Sequence, residues 1–461
     1  MNILKNILKK EEWNYVYIFY VVGFLTFISL VSIVPIRSEM PNILYNACYM
    51  LFLALGALLI LHDLLTERYM FRTSLWWVLL PCAGIMAIST VFNRVGGSIA
   101  SDVKTTIWVI ELVTVCYSAF LRLGKSRFSK MMNWGLNIVV FIHSLAALVS
   151  VVQALLGMNL TIEARGASFA QGIIGNRLYG VYMSPGEPAS CICILLILFL
   201  VGRWKKWYQK LYYGSCLGIV YFSFLLENTR ASEVALLVSA ACAAWIAGRK
   251  YLYRKNRKVI IKEGFAIVFA LLCMISIYFV NQGTRIAAFQ TVASLSDNDG
   301  SLKENPVSVE RQLINNNIRF DIWKAYITAY GKEMRPLGYN KSGYADYLRD
   351  EYPEFFNDRV KKYDVHSSYV DTLCRTGWIG TILLFVWIIY HMTWCLRYIF
   401  KHIFLKKEEI GVIVILLGML IHGVFAETAL WTFTEPEVMI FWLLAGAIGF
   451  FIKEKDKIEE C

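Results

Sequence analysis

Long apolar blocks recur along almost the whole chain, and each is long enough to cross a lipid bilayer. The first runs from Val16 to Val34 without an acidic or basic residue. A helix needs about 20 mostly apolar residues to span the hydrocarbon core. The chain is 57% hydrophobic and only 17% charged, whereas soluble proteins carry roughly a quarter charged residues. We therefore predict an all-α polytopic membrane protein.

The apolar blocks predict twelve transmembrane helices within one polytopic domain, residues 1–461. The basic start, Met1 to Lys10, leads directly into the first block without a small-residue cleavage site, so we expect no cleavable signal peptide. No internal repeat and no separate soluble domain is evident. The predicted spans are Val16–Val34, Leu44–His62, Trp76–Phe92, Thr105–Leu121, Trp134–Leu156, Ser184–Gly202, Leu211–Leu226, Ala231–Gly248, Gly264–Val280, Gly377–Leu396, Ile410–Ala426 and Trp431–Phe451.

The Lys and Arg residues are distributed unevenly between the two sides of this layout. The connectors on the side of the N-terminus hold 27 of them, and the short connectors on the other side hold six. Cytoplasmic loops of membrane proteins are enriched in Lys and Arg, so both termini are predicted to be cytoplasmic. The net charge of +12 is explained by this topology, and we predict no nucleic-acid partner.

One connector, residues 281–373 between spans nine and ten, is far longer than the others. The topology places it on the outer side of the membrane. Loops of this length usually carry function or are disordered. Its aromatic content indicates a folded cap on the membrane surface, with a helix that presents Phe320, Trp323, Ile327 and Tyr330 on one face.

Two segments imitate nucleotide or metal sites, and neither has the required context. Ala119–Ser126 matches a loose phosphate-loop pattern, but it ends a predicted transmembrane helix instead of following a strand. Asp297–Asp299 resembles the start of a calcium loop whose later ligands are missing. The eleven cysteines lie mostly inside apolar segments, which favours helix packing over disulfides or zinc binding. We predict neither a cofactor nor a metal.

Three polar stretches lie at the outer ends of the predicted spans. Arg230 stands where the eighth span begins, and a helix N-terminus with an added arginine suits a phosphate. Arg319 and Trp323 are four residues apart and share a helix face. His366 precedes the helix that returns to the membrane. Each stretch has an alternative interpretation without function. Arg230 would extend from the membrane interface to water, the helix with Arg319 and Trp323 would only be packed in the loop, and His366 would be structural.

These stretches, in their order and spacing, resemble the O-antigen ligase and polysaccharide polymerase family. Two differences from the family are Ser367, where asparagine is frequent after the histidine, and Gly186-Glu187, where asparagine often follows the proline. The segments that carry the resemblance are Arg177, Gly180 and Pro185; Thr229-Arg230-Ala231; Arg319, Trp323 and Pro336 to Gly338; His366, Tyr369, Gly377 and Gly380; and His422-Gly423 with Glu427.

The resemblance implies a GT-C-like, metal-independent glycosyltransferase that uses an undecaprenyl-pyrophosphate-linked oligosaccharide donor. It implies that Arg230 and Arg319 hold the pyrophosphate by bidentate hydrogen bonds. His366 would either accept the proton of the acceptor hydroxyl or orient the pyrophosphate, since histidine changes protonation near neutral pH. Further substrate-binding residues implied by the resemblance are Arg177, Trp323, Tyr369, Glu187 and Glu427.

Within this family, a polymerase that extends lipid-linked repeat units is favoured. A ligase that moves finished glycan onto lipid A core or protein is the first alternative, and a non-enzymatic flippase or transporter of the same lipid is the second. The resemblance places the protein in the bacterial cytoplasmic membrane. Its expected partners are the donor, the glycan acceptor and membrane lipid, with a chain-length regulator and a separate flippase as candidates.

Overall fold

The computed structural model describes residues 10–174, 177–182, 187–201, 205–253, 259–295, 309–402, 404–426, 430–432 and 435–459. Helices dominate this part of the chain. In chain order they are α1 (Lys10–Val31), α2 (Val34–Glu39), α3 (Asn42–Leu65), α4 (Trp76–Phe92), α5 (Ile99–Glu111), α6 (Tyr117–Leu155), α7 (Glu187–Val201), α8 (Trp207–Glu227), α9 (Arg230–Tyr253), α10 (Val259–Leu295), α11 (Val309–Glu333), α12 (Tyr344–Glu351), α13 (Ser368–Lys401), α14 (Lys407–Phe425) and α15 (Pro436–Glu459).

Within the described residues, most of each predicted span is helical, and Thr105–Leu121 runs from α5 through Leu112–Cys116 into α6. By length and composition, seven of the described helical segments are able to cross a membrane, and three shorter apolar helices accompany them. In hydrocarbon, a helix satisfies every backbone polar group within its own segment, which is why apolar blocks of this length become helices. The protein is an all-α polytopic membrane protein, as predicted.

A glycine divides the longest helical segment into two predicted spans. Leu112–Cys116 joins α5 to α6 as a turn of π-helix, and Gly124 has φ 69° and ψ 165° within α6. Glycine reaches positive φ at little steric cost, so the chain changes direction there and then resumes the helix. The pattern Ala119–Ser126 therefore lies between two helical stretches, without the preceding strand that a phosphate loop needs.

Two small antiparallel hairpins occupy the connector between the fifth and sixth predicted spans, and the sequence analysis did not predict them. β1 (Leu160–Ala164) pairs with β2 (Ala167–Gln171), and β3 (Ile173–Ile174) pairs with β4 (Arg177–Leu178). The strands are only two to five residues long, which is too short to show a clear two-residue alternation.

The long connector has a hydrophobic core of its own, formed by α11, α12 and the start of α13. Ile322, Tyr326 and Tyr330 of α11 are buried in it, whereas Phe320 and Ile327 are exposed. The predicted face of this helix is therefore wrong for Phe320 and Ile327. Ala325 and Ala329 lie on the buried face, and their small side chains allow neighbouring segments to approach closely. That the connector is folded was predicted and is confirmed by this core.

The connector is attached to the membrane helices where α13 is kinked, at a contact that we call the glycine joint. Gly338 and Gly377 both have positive φ, +68° and +64°. Tyr339 N–H donates to the carbonyl of Cys374 (2.8 Å), and Ile379 N–H donates to that of Pro336 (3.3 Å). A β-carbon on Gly377 would lie 2.3 Å from the Pro336 oxygen. The proline and glycine residues of the family pattern thus bring two backbones together.

Candidate functional site

A tight turn between α8 and α9 places Arg230 at a helix N-terminus, as predicted. Helix α8 ends at Glu227, and Asn228 has the left-handed conformation, φ 50° and ψ 50°. Asparagine adopts this conformation at helix ends more readily than most residues. Helix α9 then begins at Arg230, and the positive end of the helix dipole at this position favours an anion.

Four arginines that are distant in sequence meet around this turn. The charge of Arg230 interacts with those of Arg177, Arg319 and Arg285, and with the carboxylate of Glu233. We call these four residues the arginine cluster; they come from β4, α9, α10 and α11. The guanidinium Nη2 of Arg177 also donates to the carbonyl of Asn228 at 3.4 Å. The structure therefore brings together three arginines that the sequence analysis selected separately.

Arg285 is the member of the cluster that the sequence analysis missed. Helix α10 continues to Leu295, so the predicted loop, residues 281–373, begins inside a helix that carries Arg285 back to the cluster. Its guanidinium is buried and lies 3.0 Å from the carboxylate of Glu233. Gln282 contacts both partners, at 3.2 Å to each. A polar segment after an apolar span looks like a loop, and only helical continuity would have indicated this residue.

Arg319 connects the cluster to the end of α14. Its charge interacts with His422 as well as with Arg230. One turn later on the same helix, the ring of Trp323 packs 5.9 Å from that of Phe425, between ring centroids. The predicted four-residue pair, Arg319 and Trp323, is therefore on one helix and faces one neighbour.

His366 lies exposed immediately before α13, in a left-handed conformation with φ 48°. Two residues later, the backbone N–H and the hydroxyl of Ser368 both donate to the carbonyl of Ala426, at 3.0 and 2.8 Å. This carbonyl follows Phe425, on which Trp323 packs. The segment that carries His366 is thus fixed to the same end of α14 as the helix that carries Arg319.

The other predicted substrate-binding residues have different environments. The hydroxyl of Tyr369 donates to the carbonyl of Leu420 at 2.8 Å, and its ring stacks on Phe385 at 5.7 Å, so this side chain joins α13 to α14. Glu427 lies outside the described residues, as does Asp297–Asp299. Of Glu187, the structure describes the backbone at the start of α7 and not the side chain.

Part of the chain is similar to a known protein family. Residues 215–385 match the family model described as O-antigen ligase. This segment is similar to an O-antigen ligase domain. The match covers Arg230, Arg285, Arg319 and His366, and it supports the predicted family and a glycosyltransferase-like ligase or polymerase activity. Neither the curated proteins nor the solved structures that we searched contain a match to this chain.

An apolar groove between four helices runs towards the arginine cluster. It has a volume of about 610 Å³ and is formed by α7, α8, α9 and α10, and we call it the α7–α10 groove. Leu198, Leu217, Leu236 and Ile277 are among its lining residues. Asn281 also lines it and stands one helical turn before Arg285 on α10. One end of this apolar groove therefore lies beside the arginine cluster.

Proposed function

We propose that the protein is a polysaccharide polymerase. In this proposal it transfers glycan from an undecaprenyl-pyrophosphate donor to a sugar hydroxyl of a lipid-linked repeat unit, at the outer face of the bacterial cytoplasmic membrane. The observation that carries the proposal is the position of Arg177, Arg285 and Arg319 around Arg230, in a chain of which residues 215–385 match the O-antigen ligase model.

The arginine cluster is suited to a pyrophosphate. A doubly charged pyrophosphate diester would compensate positive charge of the four guanidinium groups. Arginine also offers a planar pair of donors that matches two phosphate oxygens, and such charge-assisted hydrogen bonds are among the strongest in proteins. The same donors would stabilise the charge that develops as the glycosidic bond breaks. We therefore propose that the reaction needs neither a metal nor a nucleotide.

The polyprenyl tail of the donor would lie in the α7–α10 groove. Its lining is almost entirely apolar, with Leu217, Leu236 and Ile277 as examples. Leu198 and Val280, at its rim, are exposed, as expected for residues that face membrane lipid. A lipid whose head group is bound by the arginine cluster would thus leave its tail beside the helices that form the groove.

The chemistry would be a single displacement at the anomeric carbon of the donor. The acceptor hydroxyl oxygen forms the new glycosidic bond, the bond to the pyrophosphate oxygen breaks, and undecaprenyl pyrophosphate leaves with the electron pair. The hydroxyl proton goes to a base. His366 is exposed and lies beside the end of α14, with which Trp323 and Arg319 of α11 also interact. This position supports the imidazole of His366 as the base. Orientation of the pyrophosphate is the other role that its position allows.

The acceptor distinguishes the proposed polymerase from its alternatives. A polymerase transfers glycan to another lipid-linked repeat unit, whereas a ligase transfers it to lipid A core or to protein. A flippase would move the donor and break no bond.

The proposed topology has both termini in the cytoplasm and the connector 281–373 outside, because Lys and Arg are concentrated on one side. The chain-length regulator and the separate flippase would then act beside it.

Purified protein in lipid nanodiscs tests the proposal directly. Incubation with lipid-linked repeat units should give a ladder of longer lipid-linked glycans and release undecaprenyl pyrophosphate. A single step onto added lipid A core or protein, without a ladder, would identify a ligase. Movement of the lipid between leaflets of a vesicle without any new glycosidic bond would identify a transporter and contradict the proposed enzyme.

A further inference from the structure

Two buried hydrogen-bond donors on α10 lack partners within the described parts of the chain. They are the amide Nδ2 of Asn281 and the guanidinium Nε of Arg285. Their side chains are almost completely buried, at 1% and 2% exposure. A buried donor without an acceptor is unfavourable, and most such groups in folded proteins are paired. Two of them together indicate a missing acceptor.

The two donors lie on the same side of one helix. Residues four apart on an α-helix are neighbours on its surface, so Asn281 and Arg285 are stacked along α10. The hydroxyl of Tyr221 donates to Asn281 Oδ1 at 2.5 Å, which fixes the amide and leaves its N–H₂ group for another acceptor. Both Tyr221 and Asn281 line the α7–α10 groove. The pair therefore lies where the apolar groove meets the arginine cluster.

Arg285 is held in place without using all of its donors. Its Nη2 donates to Glu233 at 3.0 Å and its Nη1 donates to Gln282 at 3.2 Å. A guanidinium group has five N–H donors in a rigid plane. With one edge bound to the carboxylate, the Nε remains available for a second acceptor, and an anionic oxygen would suit it best.

We propose that Asn281 and Arg285 bind the phosphate that is directly attached to the polyprenyl chain, while Arg177, Arg230 and Arg319 bind the phosphate next to the sugar. This inference rests on the proposed function and adds a division of the pyrophosphate into two subsites. The lipid-side phosphate belongs at the groove because the first isoprene unit must enter apolar surroundings immediately after it. Glu233 is a positioning residue that orients the guanidinium of Arg285.

The two subsites are separable with two synthetic lipids, geranylgeranyl phosphate and geranylgeranyl pyrophosphate. The monophosphate fills only the lipid-side subsite, whereas the pyrophosphate reaches both. Binding is measured to wild-type protein and variants in phosphatidylcholine nanodiscs. Asn281→Leu removes the amide at similar size. Arg285→Gln is combined with Glu233→Gln, because removal of one member of a buried ion pair leaves an uncompensated charge.

We expect Asn281→Leu and the Arg285→Gln/Glu233→Gln double variant to weaken binding of both lipids about tenfold or more, as for the loss of a hydrogen bond to a charged group. Arg319→Lys should weaken binding of the pyrophosphate and leave that of the monophosphate unchanged. The matched controls are Asn137→Leu, which removes another asparagine bonded to a tyrosine hydroxyl, and Arg249→Gln/Glu263→Gln, which removes another arginine–glutamate pair. Both controls should bind like wild type.

The outcomes separate this inference from the proposed function. Wild-type protein that binds neither lipid would contradict the proposed function itself. Normal wild-type binding with unchanged affinity in folded Asn281→Leu would overturn the inference alone. Equal displacement of both probes by phosphatidylglycerol would also overturn it, because the donors would then serve an ordinary phospholipid. Size-exclusion profiles and unfolding midpoints without ligand show that each variant is folded before its affinity is compared.

Discussion

The arginine cluster and the glycine joint both contain residues of the family pattern, and their physical chemistry differs. At the cluster, the charge of Arg230 is repelled by those of three arginines from other elements, and Glu233 lies among them. At the joint, Gly338 and Gly377 bring backbones together where a β-carbon would not fit. If the cluster binds a pyrophosphate as proposed, the anion would relieve the repulsion on Arg230, whereas the joint makes its backbone contacts without a ligand. Substitutions at the cluster should therefore affect activity, and those at the joint should affect folding.

The largest effect is expected from His366→Ala. Loss of general acid–base catalysis typically lowers a rate about 10²–10⁴-fold, and His366 is exposed, so its removal should not disturb packing. The measurement is the product ladder per folded molecule together with affinity for the lipid-linked donor. Unchanged donor affinity would identify a base that acts on the acceptor, whereas weaker donor binding would identify an orienter of the pyrophosphate. Near-normal ladders would remove His366 from the site.

Arg319 variants should lose activity about 10²–10³-fold, a typical effect of removing one oxyanion-stabilising donor. Arg319→Lys should fail nearly as completely as Arg319→Ala, because an ammonium group cannot make the planar bidentate contact. Arg359→Lys, at an exposed position on the same connector, is the control and should retain activity. If the lysine variant at position 319 works normally, a simple positive charge suffices and the bidentate contact is wrong.

Gly377→Ala should act at the joint by destabilising the protein. Gly377 has φ 64° and ψ −173°, a backbone region that is essentially restricted to glycine and costs other residues about 1–3 kcal/mol. Contact of the new β-carbon with the Pro336 oxygen adds to this. We expect a lower unfolding midpoint and less monodisperse protein, with a smaller change in activity per folded molecule. Gly331→Ala is the control, because a β-carbon there meets nothing within 4 Å and alanine favours helix. Equal stability of the two variants would contradict the described joint.

A smaller effect concerns acid stability of the connector. Burial alone would raise the pKa of the Glu333 carboxyl, but hydrogen bonds from Tyr347 and Arg335 outweigh it and lower the pKa below its ordinary value. A lowered pKa in the folded state gives stability above the unfolded pKa of about 4.3, and this stability is lost as pH falls further. Glu333→Gln should therefore flatten the dependence of the unfolding midpoint on pH below about 5. An unchanged acid limb would show that this carboxyl contributes little.

The smallest expected effect is that of EDTA. If guanidinium groups alone neutralise the pyrophosphate, the ladder formed by purified protein should be unchanged by chelation. Magnesium or manganese added afterwards should make no difference either. Complete loss of activity with EDTA, restored by either metal, would show that the cluster does not act alone.

The sequence predicted most of the fold because apolar length is a strong signal in a membrane protein. Thr105–Leu121 and Trp134–Leu156 could be separated although the helix is nearly continuous, since a basic stretch lies between them. The short hairpins around Arg177 gave no such signal. The buried face of α11 was misjudged because two faces of that helix carry apolar side chains. The face that is buried includes Ala325 and Ala329, whose small side chains allow neighbouring segments to pack closely.

Charged site residues at the ends of the predicted spans could be selected from the sequence, whereas the buried charged residue Arg285 could not. Arg177, Arg230 and Arg319 were selected, and the structure joins them. Arg285 looked like a loop residue because polar residues follow the apolar part of α10. Its partner Glu233 is six positions after the end of α8, and their pairing depends on how α9 and α10 pack. Such contacts between distant elements are set by tertiary structure.

Helix α10 is continuous over the 37 residues from Val259 to Leu295, and this length has a mechanical consequence. At 1.5 Å per residue it is about 55 Å long, well beyond the roughly 30 Å of a bilayer core. Ile277 in the groove and Arg285 beside the cluster are therefore held about 12 Å apart along one rigid rod. If a lipid binds as proposed, α10 fixes the distance between its tail and its phosphates. The helix, and not the surrounding connector, then sets the depth in the membrane at which each sugar is transferred.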